Sequence, residues 1–106
     1  MKLVKTKKIK IGYKVYSLID NTKVLDGLKL SGRHSNLYHL IEYSSNYPAS
    51  EVVDTLIHEM LHACWDLHVT NEHTEEEAVV TGLAHGLTQV FKDNPKLVQE
   101  MQDLLK

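Results

Sequence analysis

The chain of 106 residues is poor in several residue types: one cysteine, two prolines, one tryptophan and one phenylalanine. With Cys64 alone, no disulfide can form within the chain, so packing or a metal must hold the fold. Neither the two prolines nor the five glycines gather into a Pro/Gly/Ser-rich linker, and no internal repeat or low-complexity tract occurs. Residues 1–106 therefore read as a single domain with one modest core. No apolar run reaches the roughly 18–20 residues of a membrane span. The basic start, Met1-Lys2-Leu3-Val4-Lys5, is not followed by the apolar stretch of a signal peptide. A cytoplasmic location without a membrane partner is the expectation.

Charge of one sign is also missing locally. Between Arg33 and Lys92 there is no Lys or Arg, whereas Glu42, Glu51, Asp54, Glu59, Asp66, Glu72, Glu75, Glu76 and Glu77 all fall there. Lys2, Lys5, Lys7, Lys8, Lys10 and Lys14 crowd the start, before the first acid at Asp20. The net charge of -2 conceals this asymmetry. A short lysine run with little aromatic interleaving is a weak nucleic-acid signal, and we read it as a solvated strand face. The acidic, histidine-rich centre is a place for a cation.

The first half reads as strand and turn. Ile9, Ile11, Tyr13 and Val15 alternate with Lys10, Gly12, Lys14 and Tyr16, the period of a half-buried strand. Asp20-Asn21 and Asp26-Gly27 signal turns, and Leu28 to Leu30 suits a short strand before Gly32. Leu37 to Tyr43 is β-rich, with Leu37, His39, Ile41 and Tyr43 on one face.

The second half reads as helices. Ser50 suits an N-cap and Glu51 a first turn. Val53, Leu56, Ile57, Met60, Leu61 and Cys64 then recur at helical spacing to about Leu67. A second helix is predicted from Thr74 or Glu75 to about Lys92, with Val80, Leu83, Leu87, Val90 and Phe91 inward and Gly82 and Gly86 allowing a close neighbour. Thr74 and Glu77 have capping-box spacing. Asn94-Pro95 separates this from a terminal helix, Lys96 to Leu105.

The chemistry centres on His58-Glu59-Met60-Leu61-His62. Side chains four apart on a helix share a face, with Cβ atoms about 5–6 Å apart. Two imidazoles so placed can reach one zinc at about 2.0–2.1 Å. Glu59 is turned about 100° around the helix, which suits a general base better than a third ligand. A catalytic zinc site takes three protein ligands and leaves one position open. The residues leave the third ligand open among Glu77 near the start of the next helix, His68, His85 and His73. Glu76 shares a stripe with Val80, Leu83 and Leu87 and competes with Glu77, ahead of Glu75. Thr81 is a candidate supporting group, His34 and His39 are not read as ligands, and Cys64 falls on the apolar face.

His58 to His62, followed by Glu77-Ala78-Val79-Val80-Thr81, resembles the gluzincin arrangement, in which a glutamate on a second helix completes the zinc site. The run Asp54 to Ala63, with Gly82-Leu83-Ala84-His85-Gly86-Leu87 and Asp93-Asn94-Pro95, is similar to small metallopeptidase-like proteins of bacteriophages and prophages. The resemblance implies an α+β, minimal zincin-like core: a small antiparallel or mixed N-terminal sheet on the HExxH helix, a glutamate helix and a short C-terminal helix. It implies zinc held by His58, His62 and Glu77, with Glu59 as base and a peptide or protein as substrate. For a phage protein the location would be the host cytoplasm. It implies that the strand before the motif helix, Leu37 to Tyr43, pairs with substrate backbone. His85, His68 and Tyr43 are the candidates to stabilise an oxyanion. The rival reading is a non-enzymatic module in which zinc staples the fold and the basic head or exposed strand binds a protein or nucleic acid.

Overall fold

In the computed structural model, which describes residues 4–68 and 76–106, the chain forms an α+β fold. An N-terminal mixed sheet of four strands packs against three main helices. The strands are β1 (Lys8–Ile11), β2 (Lys14–Asp20), β3 (Gly32–Ser35) and β4 (Leu40–Tyr43), and a short helix α1 (Thr22–Gly27) follows β2. The main helices are α2 (Ala49–His68), α3 (Glu76–Asp93) and α4 (Pro95–Leu104).

The alternation from Ile9 to Val15 is two strands rather than one. Gly12, at φ 62°, turns the chain, and Ile11 pairs directly with Lys14 in an antiparallel hairpin. A glycine with positive φ at the first of two loop positions matches the twist of the flanking strands. The turn reverses the parity of the pattern. Tyr13 and Val15 point to solvent, whereas Tyr16 and Leu18 are buried. A second correction concerns Leu37 to Tyr43. His39 adopts φ 50°, which an extended strand does not allow, so only Leu40–Tyr43 is strand and Leu37 is exposed. Leu28 to Leu30 is not strand either, because Lys29 has φ 59° and ends α1.

The sheet order is β1-β2-β4-β3. Strand β4 enters the centre, parallel to β2 and antiparallel to β3. Of the two edges, β1 is covered: Asn94 of the α3–α4 junction accepts from the Lys10 N–H (2.9 Å) and donates to the Lys10 carbonyl (2.8 Å). Gln89 accepts from the Gly12 N–H at 2.5 Å. Side-chain amides thus occupy backbone groups that would otherwise invite another strand. Edge β3 has no such cover among the described residues.

One face of the sheet carries Ile9, Ile11, Tyr16, Leu18, Ile41 and Tyr43 into the core, where they meet Val52, Val53, Leu56, Met60, Ala63 and Cys64 of α2. Burying each of the larger of these side chains stabilises the fold by about 1.5–3 kcal/mol. Val90 of α3 and Leu97 and Met101 of α4 close the cluster. Gly82 and Gly86 are buried, but Val80 and Phe91 are largely exposed rather than inward. On the other face Glu42 is buried and accepts from Arg33 Nε (2.5 Å) and from Asn21. Burial alone would raise its pKa, but those hydrogen bonds outweigh burial and hold it below the usual carboxylate range. Among the described residues no helix is long and apolar enough to cross a membrane.

Candidate metal centre

Helix α2 owes its orientation to its apolar stripe. Leu56, Met60, Ala63 and Cys64 are fully buried, so the opposite stripe, His58, His62 and Asp66, lies exposed. Glu59 falls between the two faces and is 7% exposed. Burial pushes the Cys64 thiol up to about 11, which keeps it a neutral core group.

The Nε2 atoms of His58 and His62 are 3.2 Å apart. An N–H···N hydrogen bond spans that distance. It is also close to the separation of about 3.3–3.4 Å between two tetrahedral ligands that each sit about 2.0–2.1 Å from one zinc. The pair therefore fits a zinc ion with little rearrangement. Among the described residues no third metal-binding side chain joins the two.

Glu77 is in the first turn of α3, but its side chain, like those of Glu76 and His68, is outside the described residues, as are His73, Thr74 and Glu75 entirely. Leu83 of α3 meets the motif helix: with Leu61, Trp65, His58 and His62 it lines a cavity of about 380 Å³. Trp65 is half-buried there. His85 and Thr81 are exposed. Tyr43 is 2% exposed and interacts with the Val4 backbone. Burial raises its pKa. It belongs to the core and is removed from the oxyanion candidates.

The other side of His58 is polar. Lys29, Ser31, Gly32, Asp54, Thr55 and Glu59 surround a cavity of about 330 Å³ there. Gly32 and His34 of β3 lie opposite Tyr43 and Ile41 and share their face, so β3 presents both to α2. A Cβ at Gly32 would meet Thr55 Cγ2, lie 3.0 Å from the Glu42 carbonyl oxygen and 3.5 Å from Glu59 Cγ. Glycine is what allows the strand to lie against α2 beside Glu59.

Two residues beside the motif were not read as functional. The imidazole of His34 stacks on that of His62, with ring centroids 5.3 Å apart and planes 3° from parallel. Its Nε2 is 3.1 Å from Asp66 Oδ2, and its Nδ1 is 4.0 Å from Glu59 Oε1. Asp66 could have been found, since it follows His62 by four residues on one stripe. His34 could not, because only the folded sheet brings it there.

The resemblance to zincins assigned substrate pairing to Leu37 to Tyr43. That assignment fails, because β4 is already paired on both sides. Among the described residues the free edge is β3. The Ser44 N–H donates to the Ser31 carbonyl at 3.0 Å, and bonded pairs alternate along an antiparallel ladder. Arg33 and Ser35 therefore bond to β4, while the backbone groups of Gly32 and His34 point outward. Comparison with family models, curated proteins and solved structures found no match.

Proposed function

We propose that the chain is a zinc-dependent, metallopeptidase-like hydrolase of the gluzincin type, built on a minimal zincin core. The observation that carries this reading is the pair of imidazole nitrogens 3.2 Å apart beside a mostly buried carboxylate, Glu59. His58 and His62 hold the metal, and an acid from the first turn of α3, Glu77, completes the set. Bound there, zinc would polarise the scissile carbonyl and acidify a water.

Glu59 takes a proton from the attacking water and passes it to the leaving amine. The outward N–H and C=O groups of Gly32 and His34 bind an extended peptide as an added strand, which gives affinity with little sequence selectivity. The cavity walled by Leu61, Trp65 and Leu83 receives an apolar side chain next to the scissile bond.

The test is a mixed peptide pool incubated with zinc-loaded protein. Cleavage beside bulky apolar residues is expected, abolished by a chelator and restored by zinc. Turnover indifferent to chelation would contradict the reading. The open β3 edge also suits a second reading, a zinc-stapled module that binds a partner strand without cutting it. That module would close its metal with four protein ligands rather than three and a water.

A further inference from the structure

We infer that His34, anchored by Asp66, is the positioning residue for the general base. This rests on the proposed hydrolase reading and deepens it, since nothing in the zinc motif itself calls for a histidine on the neighbouring strand.

Four observations converge. His34 Nε2 lies 3.1 Å from the Asp66 carboxylate. An ionised carboxylate only accepts, so Nε2 carries the donated hydrogen and the ring is held in one orientation. The ring lies flat against His62, with centroids 5.3 Å apart. Its Nδ1 edge faces Glu59 Oε1 at 4.0 Å, a gap between two acceptors that one water, donating to both, bridges. On the opposite side Glu59 meets the space that a Cβ at Gly32 would take. Glu59 is thus flanked by two residues of β3, Gly32 and His34.

His34 also lies where its backbone faces the free sheet edge. One residue therefore faces three things: the incoming peptide through its main chain, the base through Nδ1, and a metal-binding imidazole through its ring face. A peptide paired with β3 holds His34, and His34 positions the base. Asp66 keeps the ring from turning away.

The side-chain substitutions separate these contacts. Asn at 34 places a polar atom where Nδ1 stood, facing Glu59, while Gln places one where Nε2 stood, facing Asp66. In zinc-loaded protein, His34→Ala lowers kcat by about 10- to 100-fold, leaves KM within about threefold because the backbone contacts persist, and keeps zinc bound. His34→Asn recovers much of the loss and His34→Gln does not. Equal loss in all three, or a loss confined to KM, would overturn the assignment.

A readout without turnover separates failure of this inference from failure of the hydrolase reading. In zinc-loaded protein with ¹⁵N-labelled histidine, the His34 Nε2–H signal is observed. It moves in Glu59→Gln and averages with solvent in Asp66→Ala, while the His58 and His62 signals hold. A His34 signal indifferent to both substitutions would sink the inference, even in a protein that cleaves peptides. If the wild type cleaves nothing, the hydrolase reading falls, and the spectra alone decide the His34 contact.

Discussion

Glu59→Gln retains zinc and loses turnover by about 10²–10⁴-fold, the range that a positioned general base contributes. The substitution is close to isosteric. It leaves the packing against Gly32 intact and touches neither His58 nor His62, so metal content and fold are expected to stay at wild-type levels. An amide cannot take the proton of the attacking water at neutral pH. The loss therefore appears in kcat and in kcat/KM alike, as for an interaction made chiefly in the transition state. Steady-state kinetics on the best peptide, with zinc measured on the same preparation, checks it. A fully active Glu59→Gln protein would remove Glu59 from the mechanism.

Gly32→Val separates β3 from α2 and disables the site without altering any side chain proposed to act. The neighbours a Cβ would meet are poor at yielding. Thr55 is β-branched and rotationally restricted in a helix, and the Glu42 carbonyl, 3.0 Å away, is backbone of the central strand. Overpacking of this kind costs about 1–3 kcal/mol, which for a domain of this size lowers Tm by about 5–20 °C. Activity is expected to fall further than stability requires, because Glu59 Cγ lies 3.5 Å from the same point. Gly32→Ala should show a smaller version of both effects. Adding Thr55→Ser, which removes the clashing methyl group, should recover part of the loss in a non-additive way. Thermal unfolding of the set measures this. An unchanged Tm in Gly32→Val would show that strand and helix are not in close contact.

The helices were the legible part of the fold. A stripe of buried residues every three or four positions located α2 to within a residue or two, and punctuation at Asn94-Pro95 did the same for α4, because those signals are local. The strands were less so. A two-residue turn at Gly12 leaves the alternation of Ile9, Ile11, Tyr13 and Val15 unbroken on paper, although the chain reverses there and buries Tyr16 instead. His39 adopts positive φ without being glycine, so nothing in its type marked the end of the turn. In the site, His58, Glu59 and His62 were readable because one helix carries them all. His34 and the choice of β3 as free edge depend on β4 entering between β2 and β3, a long-range pairing that no local pattern reveals.

The most direct test is the metal content and coordination of the purified protein, by elemental analysis and X-ray absorption. It should be made on wild type and on Glu77→Ala, Glu76→Ala and His68→Ala. Stoichiometric zinc bound by two imidazoles, one carboxylate and a water, lost in Glu77→Ala and kept in the other two, is the predicted result. No stoichiometric metal under metal-replete conditions, or a shell closed by four protein ligands, would contradict a hydrolytic zinc centre in this chain.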